Sequence, residues 1–251
     1  MRSRLVVLLA CVALVVAGCS AGDSIDRLEP GPPVLSEDAS EYEFDESAFG
    51  DYVFVWSAVP DLDLLSREAA LARAVEEARN ISLFVGDEVS FPGYAQMLRN
   101  SGEGVSAHGR ADNTWRSFGV FYAKLLSITP VGDGFRAEYC RDTRSVDASY
   151  NAGGWRTPLG PVSWWAVEFE PVAQSAFEVL PEPSGRRVPN YDVFAGWRMT
   201  KPVESEIAHQ RCVDWQWELY PDAQVDPFQP GPASRSGWFE IGELPQPVPG
   251  W

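Results

Sequence analysis

The chain has 251 residues, and 36 acidic against 20 basic residues give it a formal net charge of −16 at pH 7. This excess of negative charge argues against binding to nucleic acid or to anionic lipid headgroups, because both repel a polyanion. With only two histidines and four cysteines, few ligands remain for a transition metal, and we expect no metal and no cofactor.

The chain begins with the pattern of a lipoprotein signal. Two arginines precede an apolar run over residues 5–16, and Ala17-Gly18 leads into Cys19. A basic start, a short apolar segment and a small-residue exit are typical of a cleaved secretory signal. The cysteine makes it similar to the lipobox of bacterial lipoproteins, in which residues 1–18 are removed, the Cys19 thiol carries diacylglycerol and the new amino terminus can be acylated, for example with palmitate.

This lipid anchor would hold the mature chain at the extracytoplasmic face of the cell membrane. Two or more acyl chains bury enough methylene groups, at about 0.8 kcal/mol each, for stable attachment. No segment after Cys19 offers the roughly 18 uninterrupted apolar residues of a membrane-spanning helix. The alternative is an ordinary cleaved signal with a chance cysteine.

Residues 19–51 are predicted to be a disordered acidic tether. Ten acidic residues in this stretch stand against Arg27 alone, and three prolines interrupt any helix. High charge with few apolar residues cannot compensate the entropy of ordering. Once the two signal arginines are removed, 18 basic and 36 acidic residues leave a net charge of −18. Calcium binding is the weaker interpretation, because the run lacks an Asp-x-Asp-x-Asp-Gly loop.

Residues 52–220 predict one α+β domain that opens with helices. An alternating apolar run over 51–59 predicts an edge strand or an extended lead-in. Apolar residues at helical spacing predict a helix over Ser66–Arg79 with Ser66 as N-cap, and a second helix runs from Pro92 or Gly93 to about Asn100. The other face of the first helix carries five charged residues: Arg67, Arg73, Glu76, Glu77 and Arg79.

Strands separated by turn signals follow the helices. The turn Gly132-Asp133-Gly134 predicts a hairpin between strands Ser117–Thr129 and Phe135–Arg141. Three later apolar runs predict further strands: Pro161–Phe169, Tyr191–Met199 and Cys212–Leu219. Helices first and strands afterwards indicate amino-terminal helices packed on one face of a curved antiparallel sheet. Residues 221–251 form a Pro/Gly-rich tail that we expect to wrap the surface, with Trp238-Phe239 docking locally.

Two cysteines remain for the exported domain. Cys11 leaves with the signal and Cys19 carries lipid, so Cys140 and Cys212 form the remaining pair. An oxidising compartment favours a disulfide between them, and closing a loop of this length would restrict the unfolded chain by about 4 kcal/mol. Two free thiols and a metal site are the alternatives.

Two short motifs carry a resemblance to a known family. Tyr139-Cys140-Arg141-Asp142 lies on the second hairpin strand, and Gly196-Trp197-Arg198-Met199 lies on a late strand. With helices before a long hairpin, this arrangement is similar to exported actinobacterial lipoproteins of the nuclear transport factor 2-like (SnoaL-like) superfamily. The resemblance covers Ser66 to Thr200 and implies a cone made from a curved sheet around helices. Eighteen arginines against two lysines agree with a high-GC source.

A cone of this kind implies a cavity that relatives use for small apolar ligands, for isomerase or cyclase chemistry, or for docking a partner, so the fold does not choose the function. A general base would have to come from His108, Asp112 or Asp142. His108 lies in a glycine-bounded stretch and Asp142 is expected to cap a strand end. Neither a Gly-x-Ser-x-Gly elbow nor a phosphate-binding glycine loop occurs. We therefore predict no catalytic residue.

Ten tryptophans are the compositional feature that most needs an explanation. Exposed indole faces stack on sugars or cations, whereas buried ones fill a core, and both readings stay open. Acidic residues on nearby strands, Glu168, Glu170 and Glu218, would pair with arginines or with ligand hydroxyls. The candidate ligand-contact aromatics are Trp164, Trp197, Trp215 and Trp217.

The sequence as a whole favours a lipid-anchored, non-catalytic binding or accessory module of the bacterial envelope. Its partner would be an envelope protein or a small apolar or glycan ligand. The alternative is a SnoaL-like enzyme acting on such a substrate. A binding module should keep a mostly apolar pocket, an enzyme should bring together carboxylates with perturbed pKa values, and a docking protein should have a filled cone.

Overall fold

The computed structural model describes residues 50–107, 109, 115–142, 146–150, 156–158, 162–172, 185–219 and 246–251, all within one compact unit, Ser36–Trp251. The signal, Cys19 and the tether up to residue 49 lie outside these residues, as do His108, Asp112 and Trp238-Phe239. The described part has an α+β fold. Its elements are β1 Gly50–Ala58, α1 Arg67–Val85, a short 3-10 helix Asp87–Val89, α2 Tyr94–Asn100, β2 Trp115–Val131, β3 Gly134–Asp142, β4 Val146–Tyr150, β5 Arg156–Pro158, β6 Ser163–Pro171, β7 Trp197–Ile207 and α3 Gln210–Leu219.

The strands form one mixed sheet rather than a wholly antiparallel one. Antiparallel pairs join β2 to β3, β3 to β6 and β6 to β7. β4 also pairs antiparallel with β2, near the start of β2 and on the same edge that β3 occupies further along. β1 instead pairs parallel with β2, from Gly50 opposite Ser117 to Ala58 opposite Leu125. Along the chain, α1 comes after β1 and before β2. A connection that contains a helix can bring the next strand back in the same direction, which makes the pair parallel.

The β2–β3 hairpin confirms the predicted turn. Val131 pairs with Gly134, so Gly132-Asp133 is a two-residue loop. Gly132 has a φ of 57°, which this class of tight hairpin turn requires and glycine adopts without strain. A register shift between Leu125 and Ser127 marks a bulge in β2, and bulges bend strands.

Helix α1 begins where the sequence predicts and runs six residues further. The Ser66 Oγ accepts the Ala69 N–H at 3.3 Å, which confirms the N-cap. Thirteen of its residues are buried, including Arg73, Glu76 and Glu77 from the charged face. That face is covered because apolar residues of 188–194 and Trp251 join the same core as the helix and the sheet.

The predicted strand Cys212–Leu219 is wrong, because these residues belong to helix α3. Their alternation also fits helical spacing, which puts Cys212, Val213 and Gln216 on one buried face. Cys140 and Cys212 form a disulfide with an S–S distance of 2.03 Å. Since neighbouring strand residues point to opposite faces, Tyr139 contacts α1 while Cys140 bonds α3. The amino-terminal helices α1 and α2 therefore pack on one face of the sheet, and α3 packs on the other.

Several other boundaries differ from the predicted ones. β1 begins at Gly50, inside the predicted tether. The predicted strand Tyr191–Met199 starts only at Trp197, because residues 191–196 form turns that end at Gly196 with a φ of 79°. Of the predicted tail, residues 246–251 are described: Val248 is 46% exposed and bridges Val55, whereas Trp251 is buried. None of the helices among the described residues is long and apolar enough to cross a membrane.

Candidate functional site

A cavity of about 260 Å³ lies between α1, α2 and β7. Its volume is slightly below the roughly 300 Å³ at which drug-sized pockets begin, so it would hold a small molecule or one end of a longer one. Its apolar lining is Val75, Leu83, Tyr94, Leu98, Met199 and Val203. Its polar lining is Arg79, Ser82, Asp87, Glu103 and Ser106.

Arg79 is the polar group of this cavity with the clearest capacity for a ligand. Its guanidinium carbon lies 4.1 Å from the centre of the Trp165 ring on β6, a cation–π contact that orients the planar group. Among the described residues, none accepts a hydrogen bond from Arg79 or forms an ion pair with it. Arg79 is therefore a half-buried residue of the cavity lining, and its guanidinium has no acceptor among the described residues.

Hydrogen bonds between loops and strands hold the walls of the cavity. Asp87 and Ser106 exchange two of them, since the Asp87 N–H donates to the Ser106 carbonyl at 2.8 Å and Asp87 Oδ2 accepts the Ser106 N–H at 2.7 Å. At the end of α2, Ser101 Oγ accepts the Met199 N–H of β7 at 2.9 Å and donates to the Met97 carbonyl at 2.7 Å. The cavity is thus largely preformed.

Next to the cavity, α1 buries a carboxylate that is fully hydrogen-bonded. Glu76 is 0% exposed, and its Oε2 accepts the Tyr139 hydroxyl at 2.9 Å. Its Oε1 accepts from Arg141 Nη1 at 2.9 Å and from Asn80 Nδ2 at 2.7 Å. Burial and the nearby Glu76 carboxylate raise the pKa of Tyr139 well above its ordinary value, so this phenol remains a donor. Three donors thus fix Glu76.

The neighbouring carboxylate, Glu77, is held by two indoles. Trp56 Nε1 donates to Glu77 Oε1 at 2.9 Å, and Trp251 Nε1 donates to Glu77 Oε2 at 2.7 Å. Burial raises the pKa of Glu77 from 4.5 to about 7, although Arg73 and the two indole donors pull the pKa down. Both oxygens of Glu77 are occupied by protein donors, so this perturbed pKa reflects burial, and no oxygen is left to face a substrate.

We expect rising pH to destabilise the fold through Glu77. Between pH 4.5 and about 7 the folded chain holds a proton on Glu77 that the unfolded chain has lost, so stability falls as pH rises through this window and levels off above it. The full effect is about 3 kcal/mol. Burial also raises the pKa of Asp192 to about 6, so Asp192 likewise lowers the stability of the fold as pH rises.

The difference in unfolding free energy between the wild type and Glu77→Gln, measured in urea across this pH window, isolates Glu77 from Asp192. We expect this difference to decrease towards neutral pH. A difference that stays constant with pH would show that Glu77 has an ordinary pKa.

The four tryptophans proposed as ligand contacts lie away from the cavity lining. Trp164 stacks on His209 at 5.6 Å, and Trp197 packs edge-on against Phe135 at 5.5 Å. On α3, Trp215 is buried in an apolar cluster with Cys140 and Cys212, whereas Trp217 is 45% exposed. Ligand contact by these four residues stays a prediction.

The acidic candidates take part in hydrogen bonds and ion pairs within the protein. Asp142 is buried and accepts a hydrogen bond from Gln216 of α3. The three strand and helix carboxylates named in the sequence all pair with basic side chains: Glu168 with Arg136 and Lys201, Glu170 with Arg198, and Glu218 with Lys124. In the described ranges, no group of three or more His, Cys, Asp or Glu side chains could hold a metal ion.

Sequence reasoning missed the groups that matter most here. The sequence predicts Arg79 on a charged helix face, and nothing local distinguishes it from Arg67 or Arg73. The adjacent glutamates Glu76-Glu77 also fit a solvent-facing helix side, so the sequence offers no local signal that both are buried.

No family model, curated protein or solved structure matches this chain. A functional assignment therefore depends on the geometry and chemistry of the site itself.

Proposed function

We propose that this chain is a lipid-anchored, extracytoplasmic binding module whose cavity between α1, α2 and β7 holds a small ligand. The ligand would have an apolar body and one head group that accepts hydrogen bonds. The observation that carries this proposal is Arg79, a half-buried cation that lines the cavity and has no acceptor among the described residues. A guanidinium in that position offers several donors in a fixed plane.

The lining supports this chemistry for the ligand. Leu98, Met199 and Val203 offer an apolar wall, which suits a small apolar body better than a glycan covered with hydroxyls. A carboxylate or carbonyl head group would pair with Arg79, and a carboxylate could do so with two parallel hydrogen bonds. The carboxylates of Asp87 and Glu103 at the same cavity would disfavour a second negative charge on the ligand.

The sequence supports the place where this binding would occur. The signal pattern that ends at Cys19 predicts the anchor, and the acidic segment after it would separate the domain from anionic headgroups by charge repulsion. The resemblance to nuclear transport factor 2-like lipoproteins supports a cone-like cavity. The buried position of α1 and the bulges in β2 and between β6 and β7 agree with a sheet that curves around this helix.

A binding role is better supported than the alternative of a SnoaL-like enzyme. An acid–base mechanism needs a titratable group that can reach a substrate proton. Protein donors occupy all four oxygens of the buried carboxylates Glu76 and Glu77. Of the two carboxylates that line the cavity, Asp87 accepts the Ser106 N–H and Glu103 is exposed to solvent. Asp142 bonds α3 instead.

Native mass spectrometry tests this proposal. The chain from Ser20 onward is exported behind a non-lipid signal and incubated with a detergent-free envelope extract. We expect one discrete added mass on the wild type, reduced roughly tenfold in occupancy by Arg79→Gln. Arg99→Gln is the matched control, because Arg99 lies on α2, pairs with Glu88 and is absent from the cavity lining. A bare mass, or equal occupancy in all three chains, would contradict the proposal.

A further inference from the structure

Residues 246–251, here called the strap, contact the rest of the domain as a bound peptide contacts a receptor. Val248 forms an isolated parallel bridge with Val55 of β1. The Trp56 N–H donates to the Val248 carbonyl at 2.7 Å, and the Val248 N–H donates to the Phe54 carbonyl at 3.2 Å. Adding a strand to a sheet edge in this way is a recurrent mode of peptide recognition.

The strap is anchored by one deeply buried aromatic side chain. Trp251 is 4% exposed, and its indole lies under the Arg73 guanidinium at 4.2 Å and edge-on to Phe91 at 5.7 Å. The indole N–H reaches Glu77, as described above. A large anchor in a desolvated pocket, surrounded by weaker contacts, is how interfaces concentrate their binding energy.

Backbone groups of the strap are also recognised. Arg73 Nη1 donates to the Pro249 carbonyl at 3.0 Å, and Trp251 exchanges two backbone hydrogen bonds with Arg186, at 3.0 and 3.1 Å. These contacts do not depend on strap side chains other than the indole. The groove that the strap occupies between β1 and α1 therefore recognises the backbone of residues 248–251 together with one tryptophan side chain.

One hydrogen-bond donor of Arg73 and most of the β1 edge make no hydrogen bond with the described strap. Arg73 is buried, and its Nε has no hydrogen-bond partner among the described residues. The strap bridges β1, a strand of nine residues, at a single position. A ligand with one more carbonyl near Arg73 and a longer strand along β1 would make contacts that the described strap lacks.

We propose that the groove between β1 and α1 is a recognition site for a tryptophan-bearing peptide segment of a partner protein, and that the strap is its resident intramolecular ligand. A partner segment with a tryptophan three residues after an apolar residue, as in Val248 and Trp251, replaces the strap in the groove. This site is separate from the cavity that Arg79 lines.

A labelled peptide with the sequence of residues 246–251 tests this proposal by fluorescence anisotropy. The receptors are the full chain from Ser20 onward and its Trp251→Ala variant, and the control peptide has alanine in place of tryptophan. We expect the tryptophan peptide to bind the variant at least roughly tenfold more tightly than the wild type, whose own strap competes, and the alanine peptide to bind neither. A folded variant, verified by circular dichroism, that binds neither peptide would overturn the proposal.

A second receptor covers the case in which Trp251→Ala does not fold. A protease site placed within residues 221–245 of the otherwise wild-type chain allows the strap to be cut loose after folding. The proposal predicts that the cut strap exchanges with the labelled tryptophan peptide while the rest of the domain stays folded. A strap that never exchanges, or a domain that unfolds when the strap leaves, would show that residues 246–251 are a permanent part of the core.

Discussion

Replacing Glu76 by alanine is expected to destabilise the domain by about 4 kcal/mol, because removing one partner of a buried ion pair leaves the other charge uncompensated. Arg141 would lose its carboxylate partner, and the Tyr139 hydroxyl and the Asn80 amide would each lose an acceptor. Each buried donor left without an acceptor adds its own desolvation penalty. The measurement is the free energy of unfolding in urea.

A matched control removes a carboxylate that is not buried. Glu88 pairs with Arg99, and both side chains are 48% exposed. Glu88→Ala should therefore cost less than about 1 kcal/mol. Glu76→Gln should fall between the two, since the amide keeps one acceptor oxygen but loses the charge. If Glu76→Ala cost no more than Glu88→Ala, the buried hydrogen bonds and ion pair of Glu76 would not stabilise the fold.

Removing the disulfide is expected to cost about 4 kcal/mol in the variant in which both Cys140 and Cys212 are serine. The disulfide closes a separation of 72 residues, and both cysteines are completely buried between β3 and α3. Without the disulfide, the unfolded chain has more conformational entropy, and α3 loses its covalent link to the sheet.

Urea unfolding with and without a reducing agent checks this expectation. Reduction should destabilise the wild type and leave the double-serine variant unchanged. A wild type that is equally stable when reduced would refute a stabilising role for this disulfide.

The parts of the fold that the sequence predicts correctly depend on local signals. Ser66 caps α1 through an atom three residues away, and the Gly132-Asp133 turn closes the hairpin within its own residues. The cysteine pairing follows from counting, because the predicted signal and lipidation leave two cysteines. Each of these inferences needs only neighbouring residues or a tally of one residue type.

The parts that the sequence misses depend on contacts between distant residues. Glu77 is buried because Trp251, 174 positions away, closes over it. The strand predicted for residues 212–219 fails for a related reason, since alternation within a short segment fits one face of a helix as well as one face of a strand. Arg79 becomes a site residue only because β6 brings Trp165 beneath it.

Methionine methyl NMR tests ligand binding in the cavity most directly. The chain from Ser20 onward contains two methionines: Met199, which lines the cavity, and Met97, which is buried in the core and is not among the described lining residues. With only the methionine methyl groups labelled, hexanoate and hexanamide are titrated into the wild type, Arg79→Gln and Arg99→Gln. The proposal predicts a saturable shift of the Met199 signal with a steady Met97 signal, and a roughly tenfold loss of affinity in Arg79→Gln alone. A Met199 signal that neither compound moves, or equal affinity in all three chains, would contradict a ligand site built on Arg79.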